Sequence, residues 1–123
     1  MKRVACLVVL AAILPAAAWA DCTYPKKPGK APDGNHATRA EMIAAKKVVD
    51  QYQADVTAYL ACLKSEHDAD MAKNAAASDD DKKKMTMRWE KKNDAAVDEA
   101  QDVADRMNEQ IRVCKARADG CAK

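Results

Sequence analysis

The chain has 123 residues, 21 Lys+Arg against 19 Asp+Glu, and no Phe. That length allows one small domain and no more. The near balance of charge argues against nucleic acid, which requires a net basic face to displace counterions, and equally against a polybasic membrane-surface anchor.

Residues 1–20 read as a secretory leader. Lys2 and Arg3 form a basic start, Cys6 to Ala17 an apolar run broken by Pro15, and Ala18-Trp19-Ala20 a small-x-small cleavage site before Asp21. The run is too short to span a bilayer, so no membrane span is expected in the mature chain. Lys2 and Arg3 leave with the leader, and the remaining 19 basic and 19 acidic residues balance. Export, to the periplasm or beyond, would expose the thiols to an oxidising compartment. Asp21 stands before Cys22 where a lipoprotein signal needs a small neutral residue, so lipid anchoring is not expected.

Residues 21–37 hold Pro25, Pro28, Gly29, Pro32 and Gly34, and read as an extended segment. Pro25-Lys26-Lys27-Pro28 has the spacing of a polyproline recognition motif. With Cys22 to pin it, a rigid tethered strap is the simpler reading.

From Asn35 to Asp119 there is neither Gly nor Pro, and good helix formers dominate. Residues 38–123 therefore read as a helical hairpin. Thr38 with Glu41 three residues on makes a capping box. Met42, Ala45, Val49, Tyr52, Val56, Tyr59 and Leu63 follow at alternating three- and four-residue steps, a coiled-coil-like seam that Leu60 widens. It fades at Glu66 and Asp70, where only Met71 continues an apolar stripe. Ser78 before Asp79, Asp80 and Asp81 is a second N-cap with acids in the first turn, followed by Lys82, Lys83 and Lys84 as a solvated helix start. The second stripe runs through Trp89, Ala96, Ala100, Val103, Met107, Ile111, Cys114 and Ala118, with Gly120 suited to close the helix. The short link at 74–78 implies antiparallel packing. One continuous helix through Ala75-Ala76-Ala77 would instead force dimerisation, and the Ser78 cap argues for the break.

With the leader removed, Cys22, Cys62, Cys114 and Cys121 remain, an even number that reads as two disulfides. In an antiparallel hairpin turning near Ala77, Cys62 and Cys114 sit at levels roughly 30 Å apart at the helical rise and cannot pair. An extended segment running back along the first helix brings Cys22 to Cys62, leaving Cys114 with Cys121 around Gly120. The ranked alternative, Cys22–Cys114 with Cys62–Cys121, requires seven residues to climb nearly that whole difference. A core so poor in leucine and aromatics needs such staples.

No catalytic constellation is visible, and no enzyme is expected. His36 lies in the turn-rich Asp33-Gly34-Asn35-His36. Ser65 and Ser78 are the sole serines, Ser78 is a cap, and the helical stretch lacks a glycine-rich phosphate loop. His67 has Asp70 and Met71 one turn on, while Met85 and Met87 flank the same hairpin turn. His67, Met71, Met85 and Met87 are thus the candidate soft-metal ligands, against the simpler reading of methionines filling gaps where helices converge. No cofactor is expected. The candidate partner-binding residues are Met42, Val49, Tyr52, Val56, Tyr59 and Leu63, on a seam that two thin helices would not fully cover.

Cys22-x-x-Pro25, Pro32-Asp33-Gly34, Ala37-Thr38, Glu41-Met42 and Tyr59-x-x-Cys62-Leu63 together resemble a group of small uncharacterised exported proteobacterial proteins. The resemblance covers roughly residues 22–63 and implies that Cys22 and Cys62 pair. It implies nothing about Cys114 and Cys121, and no activity. The expectation is an exported, all-α, disulfide-stapled hairpin that binds a protein partner or itself, with soft-metal binding as the alternative.

Overall fold

The computed structural model describes residues 21–122, so the stretch read as a leader lies outside the described residues. Two helices make the fold, α1 over Arg39–Lys73 and α2 over Asp79–Ala116, packed against each other as a hairpin. Both begin where the caps predict. The Thr38 hydroxyl accepts the Glu41 N–H at 3.2 Å, and the Glu41 carboxylate accepts the Thr38 N–H at 2.7 Å. Those bonds from Thr38 hold the Glu41 carboxyl below its usual value. The Ser78 hydroxyl likewise accepts the Asp81 N–H at 3.2 Å. Asn74 ends α1, donating both its backbone and its side-chain N–H to the Asp70 carbonyl. At about 1.5 Å per residue, the 38 residues of α2 make a rod of about 57 Å.

The core is thin. Met42, Val49, Tyr52, Val56, Tyr59 and Leu63 from α1 meet Ala96, Val103, Met107 and Cys114 from α2, closed by Ala37 and Cys121. No residue between Leu63 and Ala96 is buried. The loop end of the hairpin therefore rests on half-buried contacts, while the opposite end holds the whole core.

The N-terminal strap completes that core. Cys22 is bonded to Cys62 and Cys114 to Cys121, the geometrically expected pairing, with Cα atoms 5.7 and 4.9 Å apart. From Cys62 back to Thr38, α1 descends about 36 Å at the helical rise. The chain from Cys22 to Ala37 covers that distance without helix or strand. Gly34 is buried where the strap meets α2. Its N–H donates to Gln110 Oε1 at 2.8 Å, and a Cβ there would overlap the Gln110 carbonyl and lie 2.8 Å from the Val113 Cβ. Asp33 folds the strap into its final turn, accepting the Asn35 N–H and the His36 and Asn35 side chains, which depress its carboxyl to about 2.

One boundary differs from expectation. α2 stops at Ala116, not beyond Ala118, and Ala118 is exposed. Arg117 leaves the helix with ψ 154° and sends its guanidinium to the Ala37 carbonyl at 2.6 Å and to Asp119 at 2.7 Å. Gly120, at φ +57°, lies in the following turn and does not close the helix. The return to Cys114 requires that turn, so the disulfide and the Arg117 contacts override the helical preference of Arg117 and Ala118.

Candidate functional site

The seam proposed for partner binding is internal. Met42, Val49, Tyr52, Val56, Tyr59 and Leu63 are each at most 9% exposed within the single chain. The strap explains the difference from expectation: Ala37 joins the core, and Cys22 and Ala31 pack against it. Within the single chain this seam offers no surface to a partner.

Near the loop, His67 stacks on Trp89 with ring centroids 5.1 Å apart and planes 16° from parallel. Met71 follows His67 by one turn on α1, and Met85 precedes Trp89 by one turn on α2, so both methionines lie on the loop side of the stacked rings. Both are half-buried. Met87 is 56% exposed and lies about 200° around the helix from Met85, so it does not join them. Trp89 Nε1 is buried with no hydrogen-bond partner among the described residues.

One polar cluster joins the strap to both helices. Tyr24 donates its hydroxyl to Glu99 Oε2, Tyr52 donates to the same oxygen at 3.3 Å, and Lys27 pairs with Oε1 at 2.9 Å. The Tyr24 ring meets Tyr59 edge-on at 5.0 Å. The Tyr24 hydroxyl, then Lys27, holds the Glu99 carboxyl below its usual value. Burial, then Glu99, pushes the Tyr24 hydroxyl up. At neutral pH the carboxylate is ionised and the phenol protonated, far from the matched values proton transfer needs. The cluster is a clamp. Beside it, Glu66 Oε1 accepts the Cys22 N–H at 3.0 Å. Cys22, Cys62 and Glu66 lie within metal-site spacing, but the sulfurs are bonded to each other and offer no thiolate.

No family model, curated protein or solved structure matches the chain.

Geometry alone therefore identifies what the sequence reading omitted, namely Tyr24, Lys27 and Glu99. A local signal existed. In an extended strap Cys22 and Tyr24 point to one side, and on α1 Tyr59 precedes Cys62 by one turn. Pairing Cys22 with Cys62 thus already directs Tyr24 to Tyr59. His36 is a surface residue as expected, with its side chain 85% exposed beside Asp33.

Proposed function

We propose that this protein is an exported, non-catalytic helical module that works by binding protein, either a second copy or another envelope protein. The supporting observation is where its scarce apolar area lies. Tyr24, Ile43, Val48, Met87 and Val97 are 41 to 56% exposed on a rod braced by two disulfides. A rigid scaffold loses little conformational freedom on association. Two formed disulfides, and no helix among the described residues apolar enough to cross a membrane, are compatible with export.

In-cell crosslinking of the tagged protein, read by mass spectrometry, tests this reading. Crosslinks from the Ile43, Val48 or Val97 faces to one partner or to a second copy are expected. A strictly monomeric protein with no specific neighbour would refute it.

The stacked His67 and Trp89 favour a second reading, a soft-metal site formed by His67, Met71 and Met85 at the loop end. Titration with Cu(I) decides it. Saturable binding that perturbs Trp89 fluorescence and is lost in Met71→Leu supports the site, whereas no saturable binding removes it.

A further inference from the structure

At the end remote from the loop, residues of α1, α2 and the C-terminal turn line a cleft of about 540 Å³. That volume falls within the range of small-ligand sites. Met42, Ile43, Ile111 and the Cys114–Cys121 disulfide form its apolar floor, and Arg39, Lys46 and Lys115 stand among its walls. No acidic side chain lines it. The acids nearest in sequence are engaged elsewhere: Glu41 with Thr38, Glu109 with Arg112, and Asp119 with Arg117. Lys46 pairs with Asp50, while neither Arg39 nor Lys115 has an ion-pair partner among the described residues. Arg39 is also the first residue of α1, where unpaired backbone amides add positive potential.

We propose that this cleft binds a single-chain carboxylate amphiphile, with the head group between Arg39 and Lys115 and the alkyl chain on Ile43, Ile111 and the disulfide. Charge and size select this occupant. The cationic walls favour an anion, and a carboxylate matches the arginine fork. Along α1, Arg39 and Lys46 are about 10 Å apart at the helical rise. That span is too short for a docked strand, which typically covers about 17–20 Å, but it accommodates one head group and the adjoining methylenes. Neither this inference nor the protein-binding reading above requires the other, but both use Ile43, so a partner seated on that face would compete with the amphiphile.

Ile43 and Ile111 are the sole isoleucines after residue 20, and both line the cleft. Isoleucine-methyl labelling therefore reports on it directly. Titration with sodium dodecanoate below its micelle concentration is expected to move both methyl signals saturably. Arg39→Glu combined with Lys115→Glu should weaken binding at least tenfold, with the helical circular dichroism unchanged because both side chains are exposed. Dodecyltrimethylammonium should give no saturable shift. The proposal is overturned by absence of saturation with dodecanoate, by equal response to the cationic amphiphile, or by unchanged affinity in the double variant. Methyl shifts that grow with protein concentration alone, alongside a larger hydrodynamic size, would place a second copy in the cleft and overturn it too.

Discussion

The two disulfides close loops of very different length, and that difference sets how much each stabilises the fold. Cys22–Cys62 spans 40 residues and Cys114–Cys121 spans 7. In the chain-entropy account, the first stabilises by about 4 kcal/mol and the second by about 2 kcal/mol. Against a domain stability of about 5–15 kcal/mol, the Cys22–Cys62 crosslink is decisive for so thin a core. A direct comparison uses two variants, each retaining one disulfide: Cys114→Ala with Cys121→Ala, and Cys22→Ala with Cys62→Ala. Urea unfolding of each, oxidised and then reduced, isolates one crosslink without changing any side chain between the paired measurements. Reduction should cost the variant retaining Cys22–Cys62 about 1.5 kcal/mol more than the other. Equal losses, or the reverse order, would refute the loop-length argument and place the stabilisation in native contacts around Cys114. Reduction of Cys22–Cys62 should also free the strap, so that trypsin cuts after Lys26 and Lys30 before it cuts α1.

Gly34→Ala should destabilise by about 1–3 kcal/mol through overlap with the Gln110 carbonyl, whereas Gly29→Ala, with open space around it, should not; thermal melts of both variants check this. The Glu99 clamp predicts loss of stability on both sides of neutrality. The Glu99 carboxyl is depressed in the fold, so its contribution is present above the ordinary glutamate value of 4.5 and lost as pH falls below it. The Tyr24 hydroxyl is raised above its ordinary value of 10.0, so its contribution is complete below that pH and lost as pH climbs beyond it. Tyr24→Phe should flatten the alkaline limb and Glu99→Gln the acid limb, as read from denaturation midpoints across pH. Ser78→Ala removes the cap of α2 and should cost about 1 kcal/mol in urea unfolding.

What could be read from the residues followed local rules. Thr38 and Glu41 announce a helix start three residues apart, and Met42 to Leu63 repeat at helical steps, so α1 was legible from position alone. The cysteine pairing followed because rise per residue converts sequence distance into length along a hairpin. The clamp was not legible in the same way. Glu99 is one of nineteen acids in the chain, and its partner Tyr24 is 75 residues away, a distance no periodicity spans. The near-complete burial of Tyr52 and Val56 is equally hidden in the sequence, because the strap has no repeat to reveal which face it covers. The early end of α2 depends on Arg117 reaching Ala37, a contact across 80 residues that outweighs local helix preference.

The absence of buried residues between Leu63 and Ala96 also bears on how this protein tolerates sequence change. Cavity formation and overpacking, the commonest causes of severe damage, require a filled interior, and this distal arm has none. Away from the Ser78 cap and the His67–Trp89 stack, substitutions there should be nearly neutral, whereas the same substitutions around Val56 or Met107 should not. The arm can also change length. Matched turns added to or removed from α1 and α2 leave the register of the strap, both disulfides and the core untouched. The loop end is thus the part of the molecule free to diverge, and the stapled end the part that must be kept.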